Sequence, residues 1–198
     1  IFFSIKKKMV KEIKAVICGD STVGKTSIYN RFFEEEFNPN VQPTIGGLFH
    51  KKYVENKETY ELSIWDTAGD ERYNSIIPSF FRNACVVIIV FDVTKRHSFL
   101  SLSKWINLAH ENASANVPFI IVGNKVDLYE KREVTSEELA TFAREVQAYN
   151  FIETSAKTGE GIDNLFSHIT SVQTFVINHT ANISPKDIKQ LPEKKSCC

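Results

Sequence analysis

An eight-residue segment near the start of the chain, residues 19–26, carries two glycines, a lysine and a threonine at the spacing G-x-x-x-x-G-K-[ST]. Small residues at this spacing let successive backbone N–H groups curl around phosphate oxygens. Lys25 would neutralise the outer phosphates of a nucleotide, and the Thr26 hydroxyl would bind Mg²⁺. A strand-like run precedes the segment and a helical run follows it, so that the helix N-terminus adds positive potential. The pattern predicts a nucleotide phosphate site.

A second segment that could do chemistry is Asp66-Thr67-Ala68-Gly69, directly after another strand-like run. An acid at a strand end opposite the phosphate loop can hold Mg²⁺ through water, and the N–H of Gly69 can reach the γ-phosphate. Taken alone, these four residues are more typical of a simple turn.

Two further segments could recognise a base, Asn124-Lys125-Val126-Asp127 and Thr154-Ser155-Ala156-Lys157. The carboxylate of Asp127 would accept from N1–H and the 2-amine of guanine, which rejects adenine, and the N–H of Ala156 would contact guanine O6. Each tetrapeptide alone is equally an ordinary surface turn. Their order and spacing after the phosphate loop favour a guanine site.

Strand-like and helix-like segments alternate along the chain and would position these motifs. Strands are predicted at residues 14–18, 49–55, 59–65, 85–91, 119–122 and 149–153, and helices at 24–33, 99–111, 136–149 and 161–176. Short continuous Val/Ile runs suit strands buried on both faces. We expect an α/β fold of the P-loop NTPase type, a three-layer sandwich with a mostly parallel six-stranded sheet and helices on both faces. Ligands bind beyond the carboxyl ends of such strands, where the motifs fall.

The composition bounds the function. Lys plus Arg and Asp plus Glu both number 24, so the net charge is zero, which argues against nucleic-acid binding by bulk charge. No stretch approaches the roughly 18 apolar residues of a membrane span. The four cysteines are too few for a disulfide framework, and Cys18 and Cys85 are expected to be buried in a cytosolic protein.

The expected organisation is one domain, residues 10–176, between an N-terminal extension, residues 1–9, and a flexible tail, residues 177–198. Met9 is the only methionine, which makes it the expected start, with a native extension as the alternative.

Taken together, the motifs from Gly19 to Lys157 resemble the guanine-nucleotide motifs of the Ras superfamily, over about residues 10–176. The Rab family is the branch that the chain resembles most, in residues 44–49, 62–66, 80–84 and 90–94. The resemblance implies GTP and GDP binding with Mg²⁺, GTP hydrolysis, and a role as a switch in vesicle trafficking. It also implies that residues 36–49 and 68–83 are the two switch segments, which the γ-phosphate orders.

The resemblance extends the set of candidate residues. Phe37 would pack against guanine, and Thr44 would complete a Mg²⁺ site with Thr26 and Asp66. The catalytic candidates are Lys25, Thr44, Gly69 and Asp70. The nucleotide-binding candidates are Ser21, Thr22, Val23, Gly24, Lys25, Thr26, Ser27, Phe37, Thr44, Gly69, Asn124, Lys125, Asp127, Ser155, Ala156 and Lys157. Phe49, Trp65 and Phe80 resemble the aromatic trio that Rab proteins offer to effectors. Core packing is the alternative for all three, and for Trp65 it is at least as strong as recognition.

Three positions depart from the family pattern. Asp70 stands where the family usually has a water-positioning glutamine, and a carboxylate there adds negative charge beside the phosphates and cannot donate a hydrogen bond, so we expect slow intrinsic hydrolysis. Thr22 stands where glycine is common, and its β-branch restricts the backbone. Gly47-Leu48 replaces the usual hydrophobic-acidic pair, which leaves the set of effectors open.

The chain ends in Lys194-Lys195-Ser196-Cys197-Cys198, which resembles the double geranylgeranylation signal of Rab proteins. Two lipid chains and a basic pair would attach the protein reversibly to the cytosolic face of endomembranes, Golgi or endosomal. Residues 76–80 and 104–106 resemble those of Golgi-associated Rab proteins. The family resemblance further implies a monomer with effectors, an exchange factor, a GTPase-activating protein, a GDP-dissociation inhibitor and a prenylation escort as partners.

Two other functions compete with a cycling GTPase. A GTP-loaded scaffold with negligible hydrolysis is motivated by Asp70. A nucleotide or nucleoside kinase would share the phosphate loop, but it needs no base site of the kind formed by Asn124 and Asp127.

Overall fold

The computed structural model describes residues 11–56, 58–69, 75–114 and 116–180. Within these residues the chain alternates between strands and helices, as predicted. The strands are β1 Lys11–Cys18, β2 Gly47–Asn56, β3 Glu58–Thr67, β4 Val86–Asp92, β5 Phe119–Asn124 and β6 Asn150–Thr154. The helices are α1 Lys25–Glu34, α2 Ile77–Phe80, α3 Arg96–Leu100, α4 Leu102–Asn112, α5 Ser136–Glu145 and α6 Ile162–Thr180.

The six strands form one sheet in the order β2-β3-β1-β4-β5-β6. Only the hairpin of β2 and β3 is antiparallel, and every other neighbouring pair is parallel. Every residue of β4 and β5 is buried, as their continuous apolar runs predict. The prediction of a mostly parallel six-stranded sheet is confirmed.

Two apolar cores flank the sheet, because successive strand side chains point to opposite faces. Ile13, Ala15 and Ile17 of β1 join the core that α1 and α6 cover, whereas Val16 and Cys18 join the core on the face of α2, α4 and α5. The three-layer sandwich is therefore confirmed, and the loops at the carboxyl ends of the parallel strands lie at one edge.

Three of the four predicted helices differ from the structure by more than one residue at an end. The helix predicted over residues 99–111 consists of α3 and α4, which are separated at Ser101. The helix predicted to reach residue 149 ends at Glu145, because Gln147 takes a left-handed φ of 56° and Tyr149 N–H already donates to the carbonyl of Phe119. Helix α6 continues to Thr180, four residues beyond the predicted end.

Helix α5 begins with the predicted capping box. The side chain of Thr135 accepts from the backbone N–H of Glu138, and the carboxylate of Glu138 accepts from the backbone N–H of Thr135. Two orphan N–H groups at the helix start are thereby satisfied.

Among the described residues, no helix has the length and apolar character that crossing a membrane would require.

Substituting this cap predicts a measurable loss of stability. Thr135→Ala removes an acceptor that the helix N-terminus needs, and we expect it to lower the free energy of unfolding by about 1 kcal/mol. Thr141→Ala is the matched control, because it makes the same chemical change within α5 at an exposed position. Urea unfolding followed by circular dichroism measures both. An equal effect of the two substitutions would contradict the role of the cap.

Candidate functional site

A cavity of about 580 Å³ opens at the carboxyl ends of the strands. Its size is typical of a site for a small organic ligand. Fourteen of the candidate binding residues line it: Ser21, Thr22, Gly24, Lys25, Thr26, Ser27, Phe37, Thr44, Gly69, Asn124, Lys125, Asp127, Ala156 and Lys157. Val23 and Ser155 do not line it, but each hydrogen-bonds to a lining residue: the Val23 carbonyl accepts from Asn124, and the Ser155 hydroxyl donates to Asp127. Sequence reasoning did not single out the other lining residues, Asn38, Pro39, Val41, Gln42, Pro43 and Leu128, although most of them fall within the segment assigned as the first switch.

The phosphate loop depends on two glycines that no other residue could replace without displacement. Gly19 has a φ of 140°, and a Cβ atom there would lie 2.2 Å from the carbonyl oxygen of Val90. Gly24 has a φ of 98°, and its Cβ would lie 2.3 Å from Nδ2 of Asn124. The loop is therefore packed against both β4 and the first base-binding segment.

Thr22, whose β-branched side chain restricts the backbone, takes a left-handed φ of 67°. This conformation is an outlier for a β-branched residue and costs on the order of 1–2 kcal/mol. Two lysines contact the strained residue. Lys95 Nζ lies 3.0 Å from the Thr22 hydroxyl, and Lys125 Nζ donates to the Thr22 carbonyl at 2.8 Å. Lys125 also pairs with the buried carboxylate of Asp92 at 2.7 Å.

Lys25, at the start of α1, is 6% exposed, and its ammonium group contacts the phosphate loop. It donates to the carbonyls of Gly19 at 2.8 Å and Asp20 at 2.7 Å. Burial lowers the pKa of this lysine, against the opposing effect of Asp66. A Cβ on Gly69 would lie 2.5 Å from the backbone carbonyl oxygen of Asp20, so glycine lets the segment after β3 pass close to the phosphate loop.

Three oxygen-bearing side chains converge beside the lysine. Thr26 Oγ1 lies 2.7 Å from Thr44 Oγ1 and donates to Asp66 Oδ2 at 2.6 Å, and Thr44 Oγ1 lies 3.4 Å from the same oxygen. The other carboxylate oxygen, Oδ1, is buried and has no hydrogen-bond partner among the described residues. Burial raises the pKa of Asp66 to about 6, although hydrogen bonds from Thr26 and Thr44 oppose the shift.

This donor set fits a magnesium ion. Mg²⁺ prefers oxygen ligands and is held in nucleotide sites by one or two carboxylates, hydroxyls, water and phosphate. The buried, unpartnered Oδ1 of Asp66 is the kind of atom that such an ion or its water would satisfy.

Asn124, at the end of β5, connects the base-binding segments to the phosphate loop. Its Nδ2 donates to the carbonyl of Val23 at 2.9 Å. Its Oδ1 accepts from the Thr154 hydroxyl at 3.2 Å and from the Ala156 N–H at 3.3 Å. The N–H of Ala156, which the sequence predicts to contact guanine O6, therefore makes a long hydrogen bond to Asn124 in this structure.

Asp127 is oriented by the second base-binding segment. The Ser155 hydroxyl donates to its Oδ1 at 2.7 Å, and Lys157 Nζ lies 3.9 Å from its Oδ2. The hydroxyl of Ser155 also accepts from the N–H of Thr158 at 3.1 Å, which closes the segment into a turn. An oriented carboxylate at the rim of a cavity can accept two parallel N–H bonds, as guanine offers.

The three predicted effector-contact residues form a continuous row of rings. The centroids of Phe49 and Trp65 are 4.6 Å apart, and those of Trp65 and Phe80 are 5.6 Å apart. Phe49 is 41% exposed, whereas Trp65 and Phe80 are partly buried against the core. The departure at Gly47 has a packing reason, since a Cβ there would lie 2.9 Å from Cζ of Phe80. Recognition by effectors stays a prediction for all three.

Asp70, Cys197 and Cys198 lie outside the residues that the structure describes. Their predicted roles in hydrolysis and lipidation therefore rest on the sequence.

Comparisons with known proteins agree with this geometry. The Ras family model matches residues 14–174. Human Rab-22A (Homo sapiens) is 36% identical over 193 residues, which cover 96% of this chain and 99% of the human protein. Rab-22A of the mouse (Mus musculus) is likewise 36% identical over 193 residues. Rab-22A of the dog (Canis lupus familiaris) is 39% identical over 162 residues, which cover 81% of this chain and 83% of that protein.

The match spans the phosphate loop, the threonine and aspartate cluster and both base-binding segments in one alignment. Because similarity of this extent covers the entire cavity, we conclude that the chain belongs to the Rab family of small GTPases, within the Ras superfamily.

Proposed function

We propose that this GTPase is a GTP/GDP-regulated switch in vesicle trafficking, with its nucleotide held by the residues that line the cavity. The observation that supports this best is the convergence on one cavity of a phosphate loop, a hydroxyl and carboxylate cluster and an oriented aspartate. A kinase would require the first of these but not the last. Asp127 and Ala156 read the guanine, and Phe37 packs against its face.

We propose that Thr26, Thr44 and Asp66 hold Mg²⁺ when nucleotide is bound. Such an ion neutralises charge on the phosphate oxygens. Thr44 belongs to the cavity wall that begins at Phe37, so its contact with Thr26 and Asp66 joins this wall to the phosphate loop and β3. That contact supports a switch in which the phosphate end of the nucleotide controls the segment around Thr44.

Hydrolysis depends on Lys25, Thr44, Gly69 and Asp70 in this proposal. Lys25 stabilises negative charge on the phosphates, and the backbone N–H of Gly69 contacts the γ-phosphate. Asp70 cannot donate a hydrogen bond while ionised, so intrinsic hydrolysis is slow and a GTPase-activating protein supplies the missing groups.

The other candidate function is a GTP-loaded scaffold with negligible hydrolysis. Nucleotide extracted from purified protein distinguishes them, because the scaffold retains mainly GTP and the cycling enzyme mainly GDP.

The proposed setting is the cytosolic face of Golgi or endosomal membranes. The paired Cys197 and Cys198 carry prenyl groups there, and the row of Phe49, Trp65 and Phe80 contacts effectors. Exchange factor, GTPase-activating protein, GDP-dissociation inhibitor and prenylation escort act on the monomer. Mass spectrometry of the membrane-derived protein tests the lipids, and two free thiols would contradict them.

Guanine specificity is tested at Asp127. Replacing it with asparagine exchanges a charged acceptor for an amide that offers donors to the same edge of the base. We expect Asp127→Asn to lower GDP affinity by at least about a hundredfold and to favour xanthosine diphosphate, because polar groups of guanine are left unpaired. Asp163→Asn, an exposed change in the first turn of α6, is the control. Equal GDP binding by the wild type and Asp127→Asn would refute the assigned base site.

The magnesium site is tested by chelation. We expect EDTA to raise the dissociation rate of a fluorescent GDP about tenfold, since the ion helps to hold the phosphates. In Thr26→Ala, chelation should accelerate release far less, because the hydroxyl ligand is already missing. If chelator leaves the wild-type rate unchanged, the three residues do not hold an ion that matters for binding.

The role of Asp70 is tested by single-turnover GTP hydrolysis. Asp70→Gln restores a neutral donor beside the phosphates, and we expect about a tenfold faster rate, a change of about 1.4 kcal/mol in the barrier. Glu71→Gln, which removes the same charge one residue later, should leave the rate unchanged. An equal or slower rate in Asp70→Gln contradicts the explanation of slow hydrolysis.

A further inference from the structure

Arg31 lies on α1, outside every motif by which the nucleotide site was predicted, yet its guanidinium contacts the second base-binding segment. Its Nε donates to the carbonyl of Ala156 at 2.8 Å, and its Nη2 donates to the carbonyl of Lys157 at 2.7 Å. The planar guanidinium offers donors in a fixed fork, which suits two successive carbonyls. These contacts join residues more than a hundred positions apart in sequence.

The direction of these carbonyls matters for the base. Ala156 and Lys157 both line the cavity, but their carbonyls point towards α1, because they accept from Arg31. A carbonyl turned into the cavity would place an acceptor against guanine O6, which is also an acceptor. Arg31 therefore keeps two repelling groups away from the base.

The same guanidinium makes a third contact, with the residue at the C-terminal end of α1. Its Nη1 donates to the carbonyl of Glu35 at 2.6 Å, where α1 ends in a left-handed conformation with a φ of 59°. Phe37, which follows two residues later, lines the cavity. One side chain thus holds the segment that carries Phe37 and the segment that carries Ala156 and Lys157.

We propose that Arg31 is a positioning residue for the guanine base: it fixes these two walls of the base pocket relative to each other and so strengthens binding of guanine without touching it. The inference rests on the proposed function of the cavity. The proposed role concerns binding of the base and not of the phosphates, because Lys25 and the phosphate loop are held by hydrogen bonds that do not involve Arg31. Loss of Arg31 therefore weakens base recognition selectively.

Arg31→Ala and Arg31→Lys test this, with Lys52→Ala as a matched control. Lys52 also donates to a backbone carbonyl of α1, that of Phe32 at 2.7 Å, but it does not line the cavity. Displacement of fluorescent GDP by GDP, and by ADP at millimolar concentrations, gives both affinities. ADP carries the same phosphates and ribose but no guanine edge, so the ratio of the two affinities isolates the base.

We expect Arg31→Ala to lower GDP affinity about tenfold or more and ADP affinity by less than about twofold, because charge-assisted hydrogen bonds position only the base walls. Arg31→Lys, which retains the charge but not the fork, should show a smaller loss of the same selective kind. Lys52→Ala should leave the ratio unchanged. If Arg31→Ala does not fold, the ratio in Arg31→Lys decides.

Two results would overturn the positioning role. One is an equal loss of GDP and ADP affinity in the Arg31 variants, which indicates a general structural role. The other is full retention of GDP preference. If the wild type itself does not prefer GDP to ADP, the proposed function fails first and the inference fails with it, which distinguishes the two failures.

Discussion

The side-chain amide of Asn124 is the contact on which the rest of the site depends. It is 1% exposed and bonds to the phosphate loop through Val23 and to the second base-binding segment through Thr154 and Ala156. These partners come from strand ends that are far apart in sequence, so the amide sets the separation between the two halves of the cavity. A nucleotide has a fixed length, and such a separation must be held to bind its base and phosphates together.

Several other features follow from this contact. Glycine is needed at position 24 because a Cβ there would lie only 2.3 Å from Asn124 Nδ2 and because the backbone takes a φ of 98°. Lys125, the next residue, reaches the carbonyl of Thr22 and so supports the strained turn of the phosphate loop. Arg31 donates to two carbonyls of the same base-binding segment, those of Ala156 and Lys157. The hydroxyl and carboxylate cluster of Thr26, Thr44 and Asp66 is a separate connection, which joins a wall of the cavity to the phosphate loop. In the proposed switch, base recognition and the response to the phosphate end would therefore depend on different contacts.

The alternation of strands and helices, the sheet and most residues of the cavity could be predicted from the sequence, because each of these features has a local sequence pattern. Gly19, Lys25 and Asp127 occur in short motifs that have meaning only with strand and helix context, and that context is visible in apolar runs. The left-handed backbone conformation of Thr22, by contrast, is unfavourable for a β-branched residue, so the sequence does not predict it. Two lysines from distant loops contact Thr22 in this conformation. Neither the hydrogen bond between Trp105 and Asp20 nor the hydrogen bonds of Arg31 to Ala156 and Lys157 leave a local signal, since each joins residues more than eighty positions apart.

The most direct test of this account is the GDP affinity of Asn124→Ala, measured by equilibrium titration with the wild type in parallel. Removing the amide breaks the hydrogen bonds that join Val23 of the phosphate loop to Thr154 and Ala156 of the second base-binding segment, so nucleotide has to bind two halves whose separation is no longer fixed. We expect a GDP affinity at least about a hundredfold lower, in a protein whose circular dichroism spectrum is unchanged. A GDP affinity within about twofold of the wild type would contradict it.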